Sequence, residues 1–546
     1  MMAPCTLRKS PGELLVWALF LVLLSCLLPR SGSGEEKTTP SAEHNAQDGS
    51  EAAEIKAEMP IDMDVSEEAT LRITVGDAIL MALENNRSLA VQRLSPSIQE
   101  TFEDQERAVF DPTVEGEIST QRTESERMAR SGSGTESLIS DVYQGRIALS
   151  EFFPTGTSAE ANAITTTTDS SLYREPFSAT RLGLTFTQSL LRGFATEANL
   201  ARLRQARLET EITQYELRGF SESLLAQVEN AYWDYALSQR QIEIVEESLR
   251  LANQQLTETE EMIQIGTMAE AELAAVQAEV AAQQQGLINA KSTLESTRLR
   301  LLQLLNPPGK NLWDRKVTLV HPPTLPEVRL DKVETHVSVA LRMRPDLNQA
   351  KLDIQQEDLE IVRTKNGVLP RMDLFVTLGK TGYAGSFSES VRDIRGDSYD
   401  VLAGLNVEYP IFNREARAQH RRALFRRGRA EKALENLMQL VELDVRNAYI
   451  EVNRTKEQIS ASTATRNLQE EKLRIETEKF RVGRSTNFFV AQAQRDLLVS
   501  RIDEVQAVVN YLKALIDFYR LEGSLLERRG IEAPGRDAVD DSSKHH

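Results

Sequence analysis

The sequence predicts an α+β membrane protein: a transmembrane β-barrel, closed by more than one copy of the chain, running into a long α-helical coiled coil and built from two internal repeats. Three observations predict it. Small and mid-sized apolar residues recur at alternating spacings of four and three through long helical stretches. Short stretches with a period of two interrupt those helices. The same succession of motifs then occurs a second time, at nearly constant offset.

The first element is a leader. Arg8 and Lys9 precede the apolar run LLVWALFLVLL at residues 14–24, a secretory signal pattern expected to occupy residues 1–33. Two processing sites are open. Ser31-Gly32-Ser33-Gly34 offers small residues for ordinary cleavage, whereas Leu23-Leu24-Ser25-Cys26 resembles a lipobox in which Cys26 would carry lipid. Residues 34–70 read as an acidic, disordered tether, because Glu35 to Glu68 holds eleven acidic residues against two lysines.

Thr74-Val75-Gly76-Asp77 then forms a capping-box-like helix start, and the helix is expected to run to about Val109. Strands are expected at about 113–190. Leu182, Leu184 and Phe186 alternate with Gly183, Thr185 and Thr187. QGRIALSEF (144–152) and SAEANAITTTT (158–168) flank the turn Pro154-Thr155-Gly156, an inserted hairpin. Alternation of this kind suits strands with lipid on one side and water on the other, at about 9–11 residues each. One chain would supply four strands, or six if the hairpin joins the barrel. Single-chain barrels need at least about eight, and free sheet edges in hydrocarbon are costly, so the protein must oligomerise.

A helix from Gly193 to about Gly266 would be about 110 Å long. Its heptad seam runs Leu224, Val228, Ala231, Tyr235, Ser238, Ile242, Val245, Leu249, Ala252, Leu256, Thr259, Ile263. Gly266 breaks it, and a second helix runs from Thr267 to Asn306, ended by Asn306-Pro307-Pro308-Gly309. A Pro-rich connector covers 306–335, and a helix follows from about Asp331 to Asn366.

The second copy repeats this order. ALENNRSL (82–89) matches ALRMRPDL (340–347), and Pro112 and Pro370 keep the same offset of 258. GLTFTQSLLRG (183–193) matches GLNVEYPIFNR (404–414) at an offset of 221. NAYWDY (230–235) matches NAYIEV (447–452), and Gly266 matches Gly483, at 217. The repeats are therefore 71–305 and 336–528, with a tail at 529–546. The first copy carries 37 extra residues between Pro112 and Gly183, which places the inserted hairpin. The second copy's strands fall at about 372–410, and its seam continues at Val441, Val445, Ala448, Val452, Thr455 and Ile459.

Composition narrows the classes of function. Net charge is −18, which argues against nucleic acid as a partner. The two cysteines are Cys5 and Cys26, histidines number six, and no Cys/His cluster exists, so no cofactor or metal site is expected. No P-loop, Rossmann glycine pattern or nucleophile elbow points to an enzyme.

The full order of features, LRITVGDAILMALENNRSL, a proline-led strand, a strand running into SLLRGF, NAYWDY and IGTMAEAELAAVQAEV, given twice over Leu71 to about Leu526, resembles the TolC-type outer-membrane efflux protein family. The resemblance implies a homotrimer sharing one outer-membrane barrel and one periplasmic α-barrel of roughly 100 Å. It implies docking with a periplasmic adaptor and an inner-membrane pump, for drug or metal efflux or type I secretion. By position, the periplasmic entrance and adaptor-docking tips are Gly266, Thr267, Met268, Glu272, Gly483, Arg484 and Ser485. Glu272 fits an acidic position common in the family, but the corresponding places in the second copy hold Phe489 and Gln492, so an acidic ring is not expected. Phe488 and Phe489, with Gln492, offer either an apolar constriction or ordinary seam packing. RRALFRRGRA (421–430), with Arg202, Arg204 and Arg207 at a similar level, reads either as a contact with anionic lipid or as a solvated helix face. A periplasmic coiled-coil adaptor or scaffold without a barrel is the alternative reading, although an adaptor would show one hairpin and a lipoyl-like module.

Overall fold

The computed structural model describes residues 70–539, apart from 129–131, 133, 172, 310 and 327. The expected leader, nearly all of the tether and Cys26 lie outside the described residues.

Thr74 opens the chain of helices as the sequence predicts. Its side chain accepts from the Asp77 amide at 3.1 Å, and the Asp77 carboxylate accepts from the Thr74 amide at 3.0 Å. The helix does not run unbroken to Val109. It divides into α1 (Val75–Asn85), α2 (Arg87–Gln92) and α3 (Leu94–Arg107). Asn86 causes the first break: its backbone is extended, its side-chain Oδ1 caps α2 by accepting from the Leu89 amide, and its Nδ2 donates to Leu304 O at 2.9 Å. Pro96 fits within the first turn of α3, where its missing N–H costs nothing.

A short strand, β1 (Leu71–Ile73), precedes these helices. Strands β2 (Thr113–Met128), β3 (Thr135–Phe152), β4 (Thr157–Ser170) and β5 (Phe177–Ser189) follow them. Next come α4 (Thr196–Asn199), the 64-residue α5 (Ala201–Gln264) and α6 (Ala271–Leu305). The connector contributes β6 (Val317–Leu319), parallel to β1. The second half holds α7 (Val333–Met343), α8 (Pro345–Gly367), β7 (Arg371–Ala384), α9 (Phe387–Asp393), β8 (Tyr399–Glu408), the 68-residue α10 (Arg414–Arg481), α11 (Asn487–Glu522) and α12 (Leu525–Arg528). The helix expected over 331–366 breaks at Arg344, because Pro345 starts α8 at its first position and holds the preceding residue extended. At 1.5 Å per residue α5 and α10 measure about 95 and 100 Å, slightly less than the sequence estimate, since residues 193–200 form a separate turn.

Strands β2, β3, β4, β5, β7 and β8 form one antiparallel sheet in that order, so the inserted hairpin β3–β4 lies inside it. Strand β8 has 10 residues, as expected, but the other five are longer than 9–11, and β3 reaches 18. The periodic stretch marked only the part of each strand with a clean alternation, and the ladder continues through polar ends such as Thr165–Thr168. On one face a single cross-strand row reads Val114, Leu149, Ala161, Leu184, Leu378, Val401. Residues above and below it include Ile118, Ile147, Phe186, Leu374, Leu405 and Val407, all of them exposed. The opposite face is polar: Arg146 pairs with Glu160 at 2.9 Å and Arg181 with Asp400 at 2.5 Å. The short helix α9 was not anticipated. It packs on the apolar face above that row, where Ser390 and Thr180 share a hydroxyl hydrogen bond of 2.7 Å.

The densest packing lies where the long helices meet the connector. Leu224, Val228, Ala231, Tyr232 and Tyr235 of α5 close on Ala78, Ala82, Leu301, Leu302, Leu305 and Val317. Tyr235 Oη donates to Val317 O at 2.9 Å, tying α5 to the β1–β6 pair. Val441, Val445 and Val452 of α10 form the matching cluster with Val337, Leu347, Tyr511 and Phe518. The expected tail is partly structural: Arg529 pairs with the buried Glu229, and Tyr215 Oη donates to Asp537 O at 2.5 Å.

Candidate functional site: the helical tips

The tips form where α5 turns into α6 and α10 turns into α11. Both turns close in the same way. Gly266 (φ +82°) donates to Ile263 O and Thr267 donates to Met262 O; Gly483 (φ +70°) donates to Phe480 O and Arg484 donates to Lys479 O. The paired five-to-two and six-to-one bonds satisfy carbonyls that the helix end leaves open, and the left-handed residue between them favours glycine. Side chains reinforce each turn: Thr267 Oγ1 donates to Met262 O at 2.9 Å, and Ser485 Oγ to Glu476 at 2.9 Å. Lys479 and Ser485 both donate to Glu476 and hold its carboxyl below the ordinary range.

The two tips touch through a residue that sequence reasoning missed. Asn487, 2% exposed, accepts from Gln255 Nε2 at 3.0 Å and its Nδ2 lies 3.4 Å from Met268 Sδ. Its place directly after Thr486, at the start of α11, was the available signal, but the partners lie 232 and 219 residues away. Among the predicted residues, Met268 thus joins the second tip. Gly266, Thr267, Gly483 and Arg484 are exposed, and Glu272 and Ser485 are half-buried. Higher up, Glu279–Arg495 (3.5 Å), Lys472–Asp496 (2.7 Å) and Arg466–Glu504 (2.8 Å) bridge neighbouring helices.

Phe488 and Phe489 meet edge to face at 5.5 Å, and both remain more than half exposed. The inward positions belong to Val490, Ala493 and Leu497. The two phenylalanines thus lie outside these inward positions, and Gln492 is exposed beside them. Near the sheet, Arg421, Arg422, Phe425, Arg426 and Arg429 line a shallow hollow on α10. Arg427 is set apart from them by its pairs with Asp358 and Glu431. Among the described residues no group of His, Cys, Asp and Glu is arranged to hold a metal ion, and no helix is long and apolar enough to cross a membrane.

Comparison with known proteins places this arrangement. The sequence model described as "Outer membrane efflux protein" matches residues 78–307 and 336–524. A pyoverdine export outer membrane protein, OpmQ, of Pseudomonas putida is 23% identical over 337 residues, a match spanning 60% of this chain and 66% of that protein. The folds of three solved structures agree. CusC has a TM-score of 0.63 at 18% identity, covering 82% of this chain and 92% of its own. The outer-membrane channel OprN gives 0.62 at 19%, with 82% and 90% covered. The CmeC outer membrane channel of Campylobacter jejuni gives 0.61 at 16%, with 86% and 88% covered. Since the family's pattern spans both halves, the chain belongs to the outer membrane efflux protein family, an outer-membrane protein with a periplasmic part.

Proposed function

We propose that the protein is the outer-membrane channel of a tripartite efflux or type I secretion assembly. It would passively conduct substrates delivered by an inner-membrane pump and a periplasmic adaptor. One observation carries this reading: a sheet with a partly exposed apolar row on one face, charged pairs on the other and two unpaired edges is joined to hairpins about 100 Å long. A sheet of this kind is stable in lipid only when other copies close it. A homotrimer supplies those copies, with the repeats 71–305 and 336–528 wrapped about the connector at 306–335. The leader at 1–33 directs export, and Cys26 is a candidate lipid anchor.

In this reading no reaction is catalysed, and the energy comes from the pump. The tips at Gly266, Thr267, Met268, Glu272, Gly483, Arg484 and Ser485 form the entrance on which an adaptor docks. Phe488 and Phe489, turned away from their own chain's core, form an apolar constriction when three copies meet, with Gln492 beside them. Outer-membrane lipid covers the apolar row, and the arginines at 421–429 face the head groups below it. An adaptor or scaffold without a barrel leaves the six-stranded sheet without a use.

Fractionation tests the reading. A heat-sensitive oligomer recovered with the outer membrane supports it; a soluble periplasmic monomer would sink it.

A further inference from the structure

We infer that three copies close an eighteen-stranded barrel in which β8 of one copy pairs with β2 of the next, Val407 opposite Val114 and Glu408 opposite Thr113. The inference rests on the channel reading and fixes how wide the channel is and how its copies join.

The width follows from the hairpin. The second half gives the sheet two strands, β7 and β8, whereas the first gives four, because β3 and β4 stand between β2 and β5 with full ladders on both sides. Their apolar residues continue the outward row without a gap, through Leu149 and Ala161. The hairpin is therefore wall and not a loop laid over it.

The register follows from three constraints. Strand direction alternates across the six strands, so the two edges of neighbouring copies meet antiparallel. Side chains alternate between faces, so any slip must be by two residues, or apolar residues of one edge would meet polar residues of the other. Proline ends both edges at the helical side, since Pro112 precedes β2 and Pro410 follows β8 by two residues, and neither can donate to a ladder. Seating Glu408 against Thr113 places the ladder just inside both prolines. The outward pairs are then Val407 with Val114, Leu405 with Gly116 and Ala403 with Ile118, and the apolar row passes from copy to copy. A slip of two residues toward the helices sets Val407 against Pro112, and a slip the other way sets Val401 against Arg122.

Closure geometry agrees with this register. Following the row across one copy and over the joint advances it by about six residues, from Val114 to the level of Thr120. With a rise of about 3.3 Å and a strand spacing of about 4.8 Å, that stagger tilts the strands by about 35°, within the usual range for barrels. Eighteen strands at this tilt enclose a backbone cylinder about 35 Å across, against about 23 Å for twelve. The sheet region would then be of porin width, and the helical tips would limit what passes.

Cysteine pairs in the full-length protein in outer membranes test this. Val114→Cys with Val407→Cys is expected to give disulfide-linked dimers and trimers, several-fold more than the slipped pairs Gly116→Cys with Val407→Cys and Val114→Cys with Leu405→Cys. Ala161→Cys with Leu184→Cys is expected to close within one chain. The unsubstituted chain reports any bond made by Cys5 or Cys26. A slipped pair that links best overturns the register, and failure of the 161–184 bond overturns the eighteen strands. If the same preparation is an outer-membrane oligomer that conducts, either failure leaves the channel reading intact; if it is monomeric and soluble, the channel reading itself has failed.

Discussion

The same two long helices behave differently at mid-length and at their tips. From Leu224 to Ser238, α5 buries eleven of fifteen residues, and Tyr232 and Tyr235 reach the backbone of β1 and β6. Toward its tip, α10 buries only Phe480 after Thr455. Ile265, Val482, Phe488 and Phe489 are all more than half exposed there. The middle of α5 is packed within one chain, although α10 leaves Leu440, Leu443 and Ile450 exposed at the same level. The tips leave apolar residues exposed, which in the proposed assembly other chains would meet. A densely packed collar between a sheet with two open edges and tips with exposed apolar residues is the arrangement the proposed channel requires.

Substitutions should widen or erase that contrast. The largest effect is expected at the collar. Tyr235→Ala removes a fully buried ring and its hydrogen bond and should cost about 3–5 kcal/mol, whereas Phe489→Ala should stay within about 0.5 kcal/mol. Denaturant melts of the two variants check the difference. Phe489→Ala should instead change single-channel conductance, and unchanged conductance would remove the constriction.

Next in size is a pH effect at the collar. Burial raises the Glu222 carboxyl to about 8, against the opposing pull of Arg218, with Glu527, Arg344 and Arg520 also facing it. The folded state therefore holds a proton that the unfolded chain releases near 4.5. Stability is full below the unfolded value of about 4.5 and is lost progressively as pH rises from there through about 8. Glu222→Gln should flatten the melting temperature between pH 5 and 8, and no comparable slope should arise from tip variants.

Smaller effects are expected at the turns. Gly266→Val or Gly483→Val forces a β-branched residue into the left-handed region and should cost about 1–2 kcal/mol locally. Because the two turns share one hydrogen-bond pattern, hydrogen exchange should show similar loosening in each. Asn487→Ala unties the two tips and should cost about 1 kcal/mol, seen as faster exchange at both Met268 and Thr486 while the collar is unaffected.

Local signals carried much of this structure into the sequence. The capping box at Thr74, the left-handed glycines at the tips and the seam from Leu224 to Ile263 each need only neighbours along the chain. The inserted hairpin was also legible, because Pro154-Thr155-Gly156 sits between two alternating stretches. What depends on distant partners was not. The break at Asn86 serves a contact with Leu304, whereas the one at Arg344 follows from Pro345, a local signal that the single helix expected over 331–366 passed over. The role of Asn487 depends on Gln255 and Met268, and α9 has its place only once Thr180 and Gly382 lie beneath it. Strand ends were underestimated because polar residues continue a ladder without continuing the alternation. NAYWDY, which marks the repeat in the sequence, anchors the collar through its two tyrosines.

The most direct test of the account is conductance of the purified oligomer in a planar lipid bilayer. The account predicts discrete, long-lived steps, with amplitude altered by Phe489→Ala at the entrance. A stable, well-folded protein that stays monomeric and adds no conductance to the bilayer would contradict it.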